Sequence, residues 1–165
     1  MAKLDQYGGT YSTVNAGFVA GTTSTYTTTA STAGCIRGKW ATALTAQTNT
    51  ASPTTDANTA AAFIALQPNQ TCALVMGVNA AGAIKYVQGP IISTYTGVTT
   101  TVGAFRDAPQ FPNLPDDFLP CAYTLIRTAP SAAAFTIGTS NWTASGVSCT
   151  TFANVGVLPD RPQIA

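Results

Sequence analysis

Cys72 to Gly89 reads Cys-Ala-Leu-Val-Met-Gly-Val-Asn-Ala-Ala-Gly-Ala-Ile-Lys-Tyr-Val-Gln-Gly. Two apolar runs of strand length flank Asn79-Ala80-Ala81-Gly82, a turn-type linker. It ends in the one residue type that enters the left-handed region without steric penalty. The first run, 72–78, is apolar at almost every position, which predicts a strand covered on both faces. The second sets Ile84 and Tyr86 against Lys85, so one side is left for solvent or a partner. Together they predict a β-hairpin at the centre of a sheet.

Upstream, residues 1–20 are dotted with Gly and Tyr and hold neither a helical nor a strand period, which predicts an extended arm ordered on a neighbour. Residues 21–32 are dominated by threonine, whose β-branched side chain favours the pleated surface, and predict one strand, with an edge position as an option. Gly34 to Ala41 predicts a short strand with Ile36 and Trp40 as core anchors. Residues 42–58 carry Ser52-Pro53-Thr54-Thr55-Asp56 and read as a loop. The alanine-rich stretch 60–66 has helix propensity, but it lacks a charged face and sits between turn signals, so a strand over 62–67 is preferred.

Downstream, 91–96 predicts a strand. Pro109, Pro112, Pro115 and Pro120 fall within twelve residues, a density that rules out a helix interior or central strand and predicts a stiff crossing segment. Cys121 to Thr128 follows as a strand, 133–137 as a shorter one, and 138–146 as a loop around Trp142. Residues 147–157 form the last β segment, and 158–165 an extended tail lying across a neighbour. Short strands at this spacing predict a single all-β domain over 21–157, a sandwich or barrel, with an eight-stranded jelly roll as the specific expectation.

Composition narrows the chemistry. The 165 residues are long enough for a single core that buries about 70% of the unfolded-chain surface. Charged residues make up 8% of the chain, against about 25% in an ordinary domain. Glutamate and histidine are absent, and the acids are Asp5, Asp56, Asp107, Asp116, Asp117 and Asp160. A net charge of +1 supplies no field to steer nucleic acid or an anionic membrane. Arg37, Lys39, Lys85, Arg106, Arg127 and Arg161 are scattered rather than patched. No apolar run approaches the length of a transmembrane helix, and the first residues lack the apolar core of a signal peptide, so the chain is expected to be made in the cytoplasm of its host and used without secretion by that route. Gly38-Lys39 lacks the remaining residues of a phosphate loop.

Histidine-based triads are impossible within one chain of this sequence. Asp116-Asp117 is the only adjacent acidic pair, and neighbours on an extended chain diverge, so the pair reads as solvated or as an ion-pair partner rather than as an acid–base couple. Cys35, Cys72, Cys121 and Cys149 have no metal-site spacing. They read as reduced buried thiols, with disulfides within or between chains as the other option. The chain is expected to be no enzyme and to need no cofactor. Tyr7, Tyr11, Tyr26, Tyr86, Tyr95, Trp40 and Trp142 are candidates either for the core or for stacking against sugars.

The assembled pattern is an apolar strand into Asn79-Ala80-Ala81-Gly82, a strand ending Val87-Gln88-Gly89, then Phe111-Pro112-Asn113-Leu114-Pro115 and Leu119-Pro120. Cys121-Ala122-Tyr123-Thr124-Leu125-Ile126 follows at once. This resembles virion surface proteins of tailed bacteriophages, those that decorate the head or belong to head fibres and necks. The likeness covers residues 70–128, with an echo in Gly34 to Lys39. Where relatives carry Ile-Gly-Tyr, this chain has Cys121-Ala122-Tyr123.

The resemblance implies a non-enzymatic decoration (cement) protein on the outer surface of the mature capsid. It would bridge major capsid protein subunits and itself form a dimer or trimer. Expected contact residues are Tyr7, Tyr11 and Phe18 in the N-terminal arm, Phe111, Leu114 and Phe118 in the proline segment, and Leu158 and Arg161 in the tail. The alternative is a host-recognition module of a head fibre or tail that binds surface glycans, with the Trp142 loop as its first candidate site.

Overall fold

The computed structural model describes residues 8–149 and 152–163. Twelve strands follow in order: β1 (Tyr11–Ser12), β2 (Phe18–Ala20), β3 (Thr25–Thr28), β4 (Gly34–Ile36), β5 (Lys39–Trp40) and β6 (Thr50–Ala51). Then come β7 (Gln70–Asn79), β8 (Ile84–Gln88), β9 (Ile92–Ser93), β10 (Phe118–Thr128), β11 (Val147–Cys149) and β12 (Ala153–Asn154). Among the described residues there is no helix. The strands form three sheets: a central one in the order β11-β10-β7-β8, with β12 on β10 and β9 on β7, and two three-stranded sheets, β1-β4-β5 and β2-β3-β6. The protein is therefore all-β, and among the described residues the strand order closes no barrel.

The hairpin read from Cys72 to Gly89 is β7 and β8, paired antiparallel from Leu74↔Gln88 to Val78↔Ile84. Gly82 takes φ +78° in the turn, and its N–H donates to the Asn79 carbonyl at 2.9 Å. β7 pairs on its other side with β10 along nearly its whole length. Because side chains alternate across a strand, Cys72, Leu74, Met76 and Val78 enter one core with Tyr86 and Ile126. Val75, Val87 and Tyr123 enter a second core on the opposite face. Both faces are covered, as the unbroken apolar run predicts. β8 is covered more fully than its alternation implies, since Tyr86 and Val87 are both buried.

The first core is closed by the two small sheets. Phe18 stacks on Tyr26 at 5.9 Å between ring centroids, and Tyr26 meets Tyr86 edge-on at 6.3 Å. Ile36 enters the same core from β4. The second core is closed by irregular chain: Phe111 meets Tyr123 edge-on at 5.0 Å, and Leu114 and Leu158 pack beside Val75 and Val87. The proline segment, whose Phe111 and Leu114 were expected at a partner, is thus pinned to the body of its own chain.

Several expectations need correction. The first seven residues, Tyr7 included, lie outside the described part. From residue 8 on, the expected N-terminal arm is bonded to its own chain: β1 pairs with β4, β2 pairs with β3, and Phe18 is fully buried. The tail behaves alike, with Leu158 buried and the Gln163 N–H donating to the Tyr123 hydroxyl at 3.1 Å.

Pro120 lies inside the long central strand, opposite Gly77, and the register shifts between Pro120 and Ala122. A bulge absorbs the missing N–H and makes proline tolerable there. The strand expected over 62–67 reduces to isolated bridges, Thr55↔Ala62 and Leu66↔Phe135, and the one over 133–137 to that same Phe135 bridge. The one over 91–96 shortens to β9. Where such extended segments lack a ladder, side-chain amides supply one. Gln88 accepts from the Ile64 N–H and donates to its carbonyl, both at 2.9 Å. Asn154 treats Phe18 in the same way.

Candidate functional site

Most residue types able to do chemistry are committed to structure. The four cysteines are unpaired thiols, and Cys35, Cys72 and Cys121 are buried. Cys72 and Cys149 both lie opposite Ile126, on either side of β10. Their Cα atoms are therefore about 10 Å apart, two strand spacings, beyond the ~7 Å a disulfide spans. Burial pushes the thiols of Cys72, Cys121 and Cys149 up to about 12, which keeps them protonated and unreactive. Among the described residues no three of His, Cys, Asp and Glu come together as metal ligands.

Asp56 is a buried carboxylate. Its Oδ1 accepts from the N–H groups of Asn58 at 2.8 Å and Thr59 at 3.1 Å, and its Oδ2 from that of Gln88 at 2.7 Å. It therefore ties loop 56–61 to the edge of β8, and no sequence signal beyond Pro53-Thr54-Thr55-Asp56 marks it. Beside it lies a groove of about 770 Å³ lined by Gln67, Gln70, Gln88, Asn58 and Asn113, with Ile64 on its wall. The amides there largely bond to backbone: Gln88 to Ile64, Gln70 to the Gln67 N–H, Asn58 to the Asn113 carbonyl. The groove shows shape but little free polarity.

The expected contact residues separate. Phe18, Leu114, Phe118 and Leu158 are buried within the chain and present nothing to a partner. Phe111 is half-buried over Tyr123, and Arg161 is exposed. Tyr11 is exposed, and its hydrogen bond to Cys35 raises the pKa of its phenol. Trp142 is also excluded as a sugar platform. Its indole Nε1–H donates to the Thr25 carbonyl at 2.9 Å, and its ring lies between Phe135 and Phe152.

Trp40, expected in the core, is the surprise: it is 71% exposed. The register sets Tyr11, Cys35 and Trp40 side by side across β1, β4 and β5, so the three side chains share the outer face of that sheet. Ile36, one residue on, turns inward. The alternation of Cys35 and Ile36 held this signal, but a tryptophan after Gly38-Lys39 reads by type as a core anchor. Beside Trp40 a recess of about 300 Å³ gathers Arg37, Lys39, Asp116 and Asp117. Arg37 and Asp116 form an exposed ion pair, so the pairing role read for this acidic dipeptide is met within the chain.

The chain matches no family model, and it has no significant match among curated proteins or solved structures.

Proposed function

We propose that this protein is a non-enzymatic virion surface protein that binds the outside of a mature phage capsid and bridges major capsid protein subunits. The reading rests on the resemblance of residues 70–128 to virion surface proteins of tailed bacteriophages, those of head decoration or of head fibres and necks. The observation that carries it is the character of the surface. Trp40, Ile64, Tyr95, Val98 and Val157 are all more than half exposed on a chain with 8% charged residues. Such side chains lose contact with water only in an interface, and many copies acting together make modest contacts collective. A jelly-roll arrangement of the body belongs to the same proposal, supported by Tyr26 and Ile36 of the small sheets sharing one core with Tyr86 and Met76.

Co-sedimentation with expanded heads stripped of this protein tests the proposal, with compact proheads as control. Saturable binding to expanded heads at a fixed ratio to capsid protein is the expected result. Binding to neither head form overturns it.

A second reading, recognition of host glycans, is favoured by one observation. Tyr11 and Trp40 are two exposed aromatic rings on one sheet face, about 10 Å apart by strand spacing. Binding to a glycan array that Trp40→Ala abolishes would support it, and an empty array would remove it.

A further inference from the structure

We infer that the outer face of the β1-β4-β5 sheet is where a second copy of this chain docks, about a two-fold axis near Trp40. The inference is independent of the proposed capsid role.

Apolar side chains are concentrated there. Tyr11 and Trp40, 41% and 71% exposed, lie in one row across the sheet. Val157, 57% exposed, follows Gly156, whose carbonyl accepts the Ser12 N–H at 2.7 Å, so it flanks β1. Three of the eight large exposed apolar side chains among the described residues are therefore gathered about one small sheet.

Charge selects the occupant. Arg37, Lys39, Asp116 and Asp117 rim the recess beside Trp40, four of only thirteen charged residues in the sequence. Two positive and two negative charges sum to zero, so the rim suits neither an acidic nor a basic partner as a whole. Arg37 and Asp116 already pair within the chain, which leaves Lys39 and Asp117, one charge of each sign: a two-fold rotation can set Lys39 of one copy against Asp117 of the other, as an isologous interface requires.

Sedimentation velocity of the full chain over a concentration series tests the inference. The wild type is expected to dimerise. Trp40→Ala, Lys39→Asp and Asp117→Lys, all at exposed positions, are each expected to weaken the dimer about tenfold or more. An equimolar mixture of Lys39→Asp and Asp117→Lys is expected to recover it, because the reversed charges then face one another. A wild type that stays monomeric, a trimer, or a dimer untouched by all three substitutions overturns the inference. Capsid binding is read in a separate assay, so the two failures are distinguishable.

Discussion

The β7–β10 pair and the β4–β5 hairpin are both antiparallel, yet they differ in almost every physical respect. The first is ten and eleven residues long, buried on both faces, and carries a single charged residue, Arg127, near its end. The second is three and two residues long and turns through Arg37 and Gly38, both in the left-handed region. It leaves an indole and a rim of charge in water. A long ladder with two buried faces has one register that avoids exposing apolar side chains, so it specifies the fold. A short hairpin held by its neighbours needs little of its own sequence for stability and can be spent on contacts outward.

Substitutions at the two regions should therefore separate sharply. The largest effect is expected at Gly77→Val. A Cβ there would lie 2.0 Å from the Leu119 carbonyl oxygen, opposite the bulge, where backbone cannot yield. A loss of more than about 4 kcal/mol, seen as absence of a cooperative unfolding transition, is expected. Trp142→Ala, beneath the centre, removes a ring packed between Phe135 and Phe152 and a hydrogen bond to Thr25. Chemical denaturation should show a loss of about 3–5 kcal/mol. An unchanged midpoint would mean that the indole is outside after all.

Alkali probes the centre without mutation. The thiols of Cys72, Cys121 and Cys149 are held up to about 12 by burial, against a starting value of 9.0. Between those values the unfolded thiol ionises while the folded one keeps its proton. The unfolded state then binds fewer protons, and stability falls as pH rises through 9 to 12. At pH 10 this costs about 1.4 kcal/mol per thiol, and a denaturation series from pH 7 to 10 reads it. A flat profile would contradict the burial.

Asp56→Ala leaves the N–H groups of Asn58, Thr59 and Gln88 without their acceptor. A loss of about 1–3 kcal/mol is expected, with hydrogen exchange at those amides accelerated. The smallest effect belongs to the outer hairpin. Trp40→Ala should move the stability of the dilute protein by no more than about 0.5 kcal/mol. A larger loss would erase the contrast between the two regions.

The legible parts of this sequence were those governed by local chemistry. The hairpin at Cys72 to Gly89, the burial of both faces of its first strand and the all-β class follow from side-chain period and turn residues, whereas 42–58, read as a loop, contributes β6 to a sheet. The misreadings share one cause. Residues 8–20 and 158–163 lack periodicity because their partners are distant: Tyr11 meets Cys35, Phe18 meets Asn154, Gln163 meets Tyr123. Segments satisfied by remote amides and short bridges carry no local pattern, and in sequence they look like free arms.

What the amino-acid order determined alone was the all-β class, the central hairpin and the scarcity of charge, since each depends on neighbours within a few residues. Only the tertiary structure decided that Pro120 sits in a central strand, that Phe18 and Trp142 point inward, and that Trp40 points outward. Those outcomes depend on which surfaces the rest of the chain covers, and a residue's affinity for the core does not say whether the core reaches it.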